Sequence, residues 1–231
     1  MDTPSRPALD ADHRRMLDDL RSGLPVKDSA FDRLFPEPIR RVSSRFWTPV
    51  VVARKAARLL AAGGGPVIDV GAGVGKLVVI GGLTTDVAFD GVEQRGQLVE
   101  VGNGVIDAIG LSRARMFQGT LDDVDWEKYR AFYFCNPFEE NLFPEARRFD
   151  DSVPLTEARF VEETARVEAA LDAAPVGTRV VTFHGLGARV PATYRLCPEE
   201  TRGTAFLNLW IKEREGSSGG EGVFDGYIVG R

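Results

Sequence analysis

At 231 residues, with 43% hydrophobic and 27% charged side chains, the chain suits one soluble globular domain with an appendage better than two full domains. No apolar run reaches the roughly 18 residues of a membrane span, and Met1 to Arg15 lacks the apolar stretch of a signal peptide, so a cytoplasmic location is expected. Cys135 and Cys197 are far apart and form no CxxC or Cys/His cluster, which argues against a disulfide or zinc protein, and a net charge of −5 argues against extended nucleic acid as partner.

From the N-terminus, residues 1–45 are charged and broken by Pro4, Pro7, Pro25, Pro36 and Pro38. His13, Met16, Leu17 and Leu20 share one helical face, and Phe31, Leu34 and Phe35 share another, which predicts a small helical cap ahead of a main domain over 46–231. Pro49 to Ala62 reads as a helix with Thr48 as its N-cap, stopped by Gly63-Gly64-Gly65. Strand and helix then alternate. Strands are expected at Val67 to Val70, Val87 to Glu93, Ala114 to Gln118, Ala131 to Cys135 and Arg179 to Phe183. Helices are expected at Leu77 to Leu83, on the face of Leu98, Val101, Val105 and Ile109, and on that of Phe160, Thr164, Val167 and Leu171. Phe206 to Lys212 and Val223 to Val229 are two further strand-like runs. Only the linker Gly216-Ser217-Ser218-Gly219-Gly220 separates them, which suits an antiparallel hairpin. The pattern predicts an α/β fold: a doubly wound, mostly parallel seven-strand sheet with a C-terminal antiparallel hairpin and a helical N-terminal cap.

The sharpest signal is Asp69-Val70-Gly71-Ala72-Gly73-Val74-Gly75-Lys76, a glycine turn where a buried strand hands over to a helix. Glycines there permit positive φ and close approach of a ligand to the backbone. A P-loop fails twice, because Val70 holds the first glycine's place and Leu77 follows the lysine. A dinucleotide GxGxxG fails once, at Lys76. A loop of purely structural glycines is the bland reading.

An acidic residue at the end of a first strand followed by GxGxG is similar to the first motif of the class I S-adenosylmethionine-dependent methyltransferases, and the resemblance runs from about Phe46 to Arg231. It implies S-adenosyl-L-methionine as cofactor. Gly71, Ala72, Gly73 and Gly75 would form the loop against its methionine part, and Asp69 would order that loop and the cofactor's ammonium. Glu93, at the end of the second strand with Gln94 after it, would hold the ribose. The position after the third strand that often carries an adenine-reading acid holds Gly119-Thr120-Leu121-Asp122 here, so Thr120 and Asp122 are both candidates, with Leu121 beside them.

At the end of the fourth strand stands Cys135-Asn136-Pro137-Phe138. The Asn136 side-chain oxygen and the Pro137 carbonyl can accept from an amine's N–H groups while Phe138 packs against the target; the competing reading is a plain strand-terminating Asn-Pro turn. Amino-methylating nucleic-acid enzymes carry [DN]PP[FY], from which this chain departs by lacking the second proline. Phe46-Trp47-Thr48-Pro49-Val50-Val51 resembles a Thr-Pro element of some seven-strand protein-lysine methyltransferases, which places Thr48 among the cofactor contacts. The expected reaction is methyl transfer to a nitrogen nucleophile. A protein lysine amine ranks first as acceptor, an amine or hydroxyl of a small metabolite second and nucleic-acid adenine third, with a non-catalytic cofactor-binding module as the reading from another class. His184 after the fifth strand is a candidate base against a packing role. His13 reads as a surface or packing residue, Cys135 as a small buried apolar group, and Trp47 and Trp126 as flanking the pocket or filling the core; no metal site is visible.

Overall fold

Residues 8–216 and 222–226 are described by the computed structural model. The five apolar runs form parallel strands: β1 (Val67–Val70), β2 (Phe89–Glu93), β3 (Ala114–Gln118), β4 (Ala131–Phe134) and β5 (Arg179–Phe183). Every residue of β1, β2 and β4 is buried, as a parallel sheet covered on both faces requires. Asp90, inside β2, is tolerated there because Tyr129 Oη (2.7 Å), Lys128 Nζ (2.6 Å) and Arg115 Nη2 (3.1 Å) all donate to its carboxylate.

Side chains of β1 alternate between two cores. Val67 packs with the helices α4 (Val50–Ala61), α5 (Lys76–Thr84) and α6 (Gly96–Ile109), whereas Ile68 and Val70 pack with α7 (Glu157–Ala173) on the other face. The sheet order is β3-β2-β1-β4-β5-β8-β7, with β8 (Leu207–Lys212) antiparallel to both β5 and β7 (Tyr194–Leu196). Strand order therefore reverses between β1 and β4, which opens a crevice at their C-terminal ends.

The seven-strand, mostly parallel sheet matches the expectation, as does the presence of a separate antiparallel pair. The partners within that end of the molecule differ. β8 is occupied on both edges, so no edge is left for the last run; Val223–Gly226 (β9) pairs instead with β6 (Gly185–Val190), which leaves the sheet immediately after β5. Residues 217–220 of the linker and 227–229 of the last expected strand lie outside the described residues.

The N-terminal helices α1 (Ala11–Arg21), α2 (Asp28–Phe31) and α3 (Glu37–Phe46) lie against this body. Asp10 caps α1, with His13 completing the capping box, and Met16, Leu17, Leu20 and Phe31 enter the same core as α4 and α5. Thr48 is not the cap of α4. The orphan amide of Val50 donates instead to Asp28 Oδ1 at 2.9 Å, while the Thr48 hydroxyl is engaged with buried Tyr133 Oη at 2.8 Å. Asp28 also pairs with Lys76 Nζ (2.5 Å), a buried ammonium at the start of α5 that Asp32 meets at 2.8 Å. Among the described residues no helix is long and apolar enough to cross a membrane, and no cluster of three or more His, Cys, Asp or Glu is placed to hold a metal ion.

Candidate active site

After Val70 the chain turns over the end of β2: the amides of Gly71 and Ala72 both donate to Val92 O at 3.0 Å. The Gly73 amide then donates to Glu93 Oε2 (3.0 Å) and the Arg95 amide to Glu93 Oε1 (2.9 Å), so one carboxylate ties the glycine loop to the β2–α6 turn. Gly71 (φ +73°) and Gly73 (φ +56°) adopt left-handed backbone, and neither position has room for a side chain: a Cβ would stand 2.8 Å from Pro137 Cβ at the first and 2.2 Å from Trp47 Nε1 at the second. Burial raises the Glu93 carboxyl against the two amides that lower it. Asp69 is also buried, and burial, with the Glu93 charge behind it, pushes its carboxyl up to about 8.

A cavity of about 650 Å³ opens beyond this loop at the ends of β1, β2, β4 and β5. Gly71, Gly73, Glu93, Gln94, Thr120, Leu121, Asn136, Pro137 and Phe138 all line it. Thr48, Asp69, Ala72 and Gly75 lie outside its lining: Thr48 bonds to Tyr133, Asp69 and Ala72 are buried, and Gly75 is the N-cap that precedes α5. Thr120 accepts from the Asp122 amide (3.3 Å) and its own amide donates to Asp123 Oδ2 (2.8 Å), which shapes the floor after β3. Asp122 pairs outward with Arg166, which leaves Thr120 rather than Asp122 on the cavity side.

Asn136 sits at φ +46°, its amide donating to Gly185 O at 3.2 Å and its side-chain NH2 donating to Glu139 Oε2. His184 (φ +59°) stands at the end of neighbouring β5, its ring 4.9 Å from that of Phe206 and nearly parallel to it, and burial lowers its pKa. Cys135 is partly buried on the cavity wall, and desolvation pushes its thiol up to about 11, so it is neutral.

The opposite wall was not legible in the sequence as a unit. Phe46 and Trp47, at the end of α3, meet Phe149 edge-on at 5.5 and 6.1 Å, and Arg45 Nη2 donates to Arg147 O at 2.5 Å. Arg95 reaches across to Glu140 (3.0 Å) and Asp150 (2.8 Å), and Arg159 holds Glu163 (2.5 Å) and Gln94 Oε1 (3.1 Å). The segment after β4 is fastened to α3 through Arg147, to α6 through the bond from Gln97 to Asp150, and to α7 through the bond from Asn141 to Glu163. Its acids and arginines alternate in a way that sequence spacing did not pair.

The cavity fits the cofactor that the glycine motif implies. Each Glu93 oxygen takes one backbone amide and keeps further acceptor capacity for a diol, the loop presents backbone rather than side chains, and the volume is that of a small-molecule site.

No protein-family model and no curated protein sequence matches the chain. Among solved structures it is similar to TrmN from Thermus thermophilus, with a TM-score of 0.50 and 18% identity over 80% of this chain and 53% of that one, so it spans about half of that protein's length. An RNA methyltransferase from Salinibacter ruber in complex with S-adenosyl-L-homocysteine (TM-score 0.49, 16% identity, 73% of this chain and 94% of that one) is also similar. So is a Methanococcus maripaludis protein assigned to the S-adenosyl-L-methionine-dependent methyltransferases (TM-score 0.49, 13% identity, 77% and 91%). The strand order and the likeness to TrmN agree that the chain has a Rossmann-like fold built on a mostly parallel seven-strand sheet.

Proposed function

We propose that the chain binds S-adenosyl-L-methionine in this cavity and transfers its methyl group to a nitrogen nucleophile. The observation that carries the reading is Asn136, held in left-handed backbone at the end of β4 on the wall that adjoins the glycine loop. Glu93 would accept the ribose hydroxyls, Gly71 and Gly73 would admit the methionine part, and Thr120 with Leu121 would border the adenine. The buried Asp69 carboxyl would order the loop from behind and act on the cofactor's ammonium only through that loop. When bound, the cofactor supplies a methyl already activated by its sulfonium, so the protein's task is to orient the acceptor and exclude water. Asn136 Oδ1 and the Pro137 carbonyl would accept the amine's hydrogens and aim its lone pair, with Phe138 as the apolar backing. The N-terminal cap expected over 1–45 would border the domain over 46–231 and, through Ser44 and Arg45, form part of one side of the cavity.

A protein lysine amine is the acceptor that the net charge of −5 favours, since acidic proteins attract basic partners. A small metabolite is the second reading, supported by the enclosing rings of Phe143, Phe149 and Phe206. An RNA acceptor, named for the Salinibacter ruber protein, ranks below both on charge.

Asn136→Ala tests this reading against a non-catalytic cofactor-binding module. Incubation of lysate proteins and amine metabolites with radiolabelled methyl donor should show labelling with the wild type. The variant should fall by about 100-fold or more, the scale of a lost orienting contact, with donor affinity retained. Unchanged labelling would remove Asn136 from the mechanism.

A further inference from the structure

Glu139 opens the turn Glu139–Leu142 that follows Phe138, and its carboxylate accepts from the side-chain NH2 of Asn136. A carboxylate only accepts, so this contact decides which end of the amide faces which way: NH2 toward Glu139, Oδ1 away from it. Oδ1 lies on the side of Gly187 in β6, 3.9 Å from where a Cβ at that glycine would stand. The backbone reinforces the pose. Asn136 is pinned to Gly185 O (3.2 Å), and the Glu139 amide turns back to Asn136 O (3.5 Å).

Of the neighbouring acids of the cavity, Glu140 is paired with Arg95 and Glu163 with Arg159, while Glu93 accepts from two backbone amides at the ribose end. Among the described residues no cation pairs with Glu139; only the neutral Asn136 amide offsets the burial of its carboxyl.

Resting on the proposed function, we infer that Glu139 is a positioning and specificity-determining residue: it fixes the orientation of the Asn136 amide and sets a carboxylate without a cation partner on the cavity wall beside it, which selects a cationic amine over a neutral hydroxyl. An ammonium entering beside Glu139 gains a partly desolvated opposite charge, and that carboxylate can take up the proton that must leave before the amine's lone pair is free, whereas a neutral hydroxyl gains no such charge pairing. A neutral residue at 139 would leave the amide free to present either end.

Sinefungin and S-adenosyl-L-homocysteine provide the test, because they differ by an amine-bearing carbon in place of the sulfur. Calorimetric titration of both into the full-length wild type, Glu139→Gln and Glu139→Asp needs no knowledge of the acceptor. The wild type should bind sinefungin about tenfold more tightly than S-adenosyl-L-homocysteine, the scale of one charge-assisted contact. Glu139→Gln should abolish that preference with the affinity for S-adenosyl-L-homocysteine unchanged, and Glu139→Asp should keep most of it. A packing role alone would weaken both ligands together and leave their ratio unmoved, which would overturn the inference. Equal binding of the two by the wild type would overturn it as well, with the proposed function intact. Binding of neither would sink the proposed function and this inference with it.

Discussion

Asn136, His184 and Phe206 are the described non-glycine residues with positive φ (46°, 59° and 62°), and all three line the same cavity on adjacent strands. The His184 amide donates to Phe206 O at 3.0 Å and the Asn136 amide to Gly185 O, so neighbouring backbone holds the strained residues in place. Left-handed backbone costs of order 1 kcal/mol or more per residue and persists where surrounding structure over-determines it, which is why such residues gather at functional sites. The Asn-Pro-Phe motif could be picked out from its place after an apolar strand. The strain around it could not, because Phe206 reaches the cavity only through the pairing of β8 with β5. Asp69 gives the residue scale its prediction. The unfolded carboxyl titrates near its ordinary value and the folded one at about 8, so between those values the folded chain holds a proton that the unfolded chain has lost. Stability must then fall as pH rises from about 4 to about 8 and level off above. In urea unfolding at pH 5 and pH 8.5, Asp69→Asn should gain on the wild type by more than about 1.4 kcal/mol, the equivalent of one pKa unit. A gap that is the same at both pH values would mean that the Asp69 carboxyl is not held protonated.

Asp28 joins three elements: its own α2, the first amide of α4, and Lys76 at the start of α5 directly after the glycine loop. Sequence spacing pointed to Thr48 as the cap of α4 because Ser and Thr before a Pro-started helix ordinarily serve that purpose. The competing demand was a phenol 85 residues away: Tyr133 is buried and Thr48 satisfies it. The same limit applied to the C-terminal strands, where two runs joined by a Gly/Ser linker looked like partners although both edges of β8 were already taken. Local pattern fixes which residues become strands, but edge availability fixes who pairs with whom. Asp28→Ala removes a cap and one of two partners of a buried ammonium. Since the Asp28 side chain is itself nearly half exposed, the loss should be about 1–3 kcal/mol. Denaturant titration should show a lower midpoint with an unchanged slope. A midpoint equal to that of the wild type would mean that Asp32 alone satisfies Lys76.

Over the whole molecule, β1 to β5, the glycine turn and Glu93 were legible because each rests on a short apolar run or on adjacent residues. What was not legible joins distant segments: the aromatic wall of Phe46, Trp47 and Phe149, the Arg95 clamp on Glu140 and Asp150, and the β6–β9 pair. The aromatic wall and the Arg95 clamp enclose the cavity, whereas the legible parts form its floor. The helices of residues 8–45 share the core of α4 and α5, so the wall at Trp47 is anchored to the same body as the glycine loop.

The most direct measurement is calorimetric titration of the purified protein with S-adenosyl-L-methionine and S-adenosyl-L-homocysteine, with NADH and ATP as controls. The account predicts micromolar binding of the two sulfur nucleosides, about 8 kcal/mol, and none of the controls. Binding of NADH or ATP in their place, or of no nucleoside at all, would contradict it.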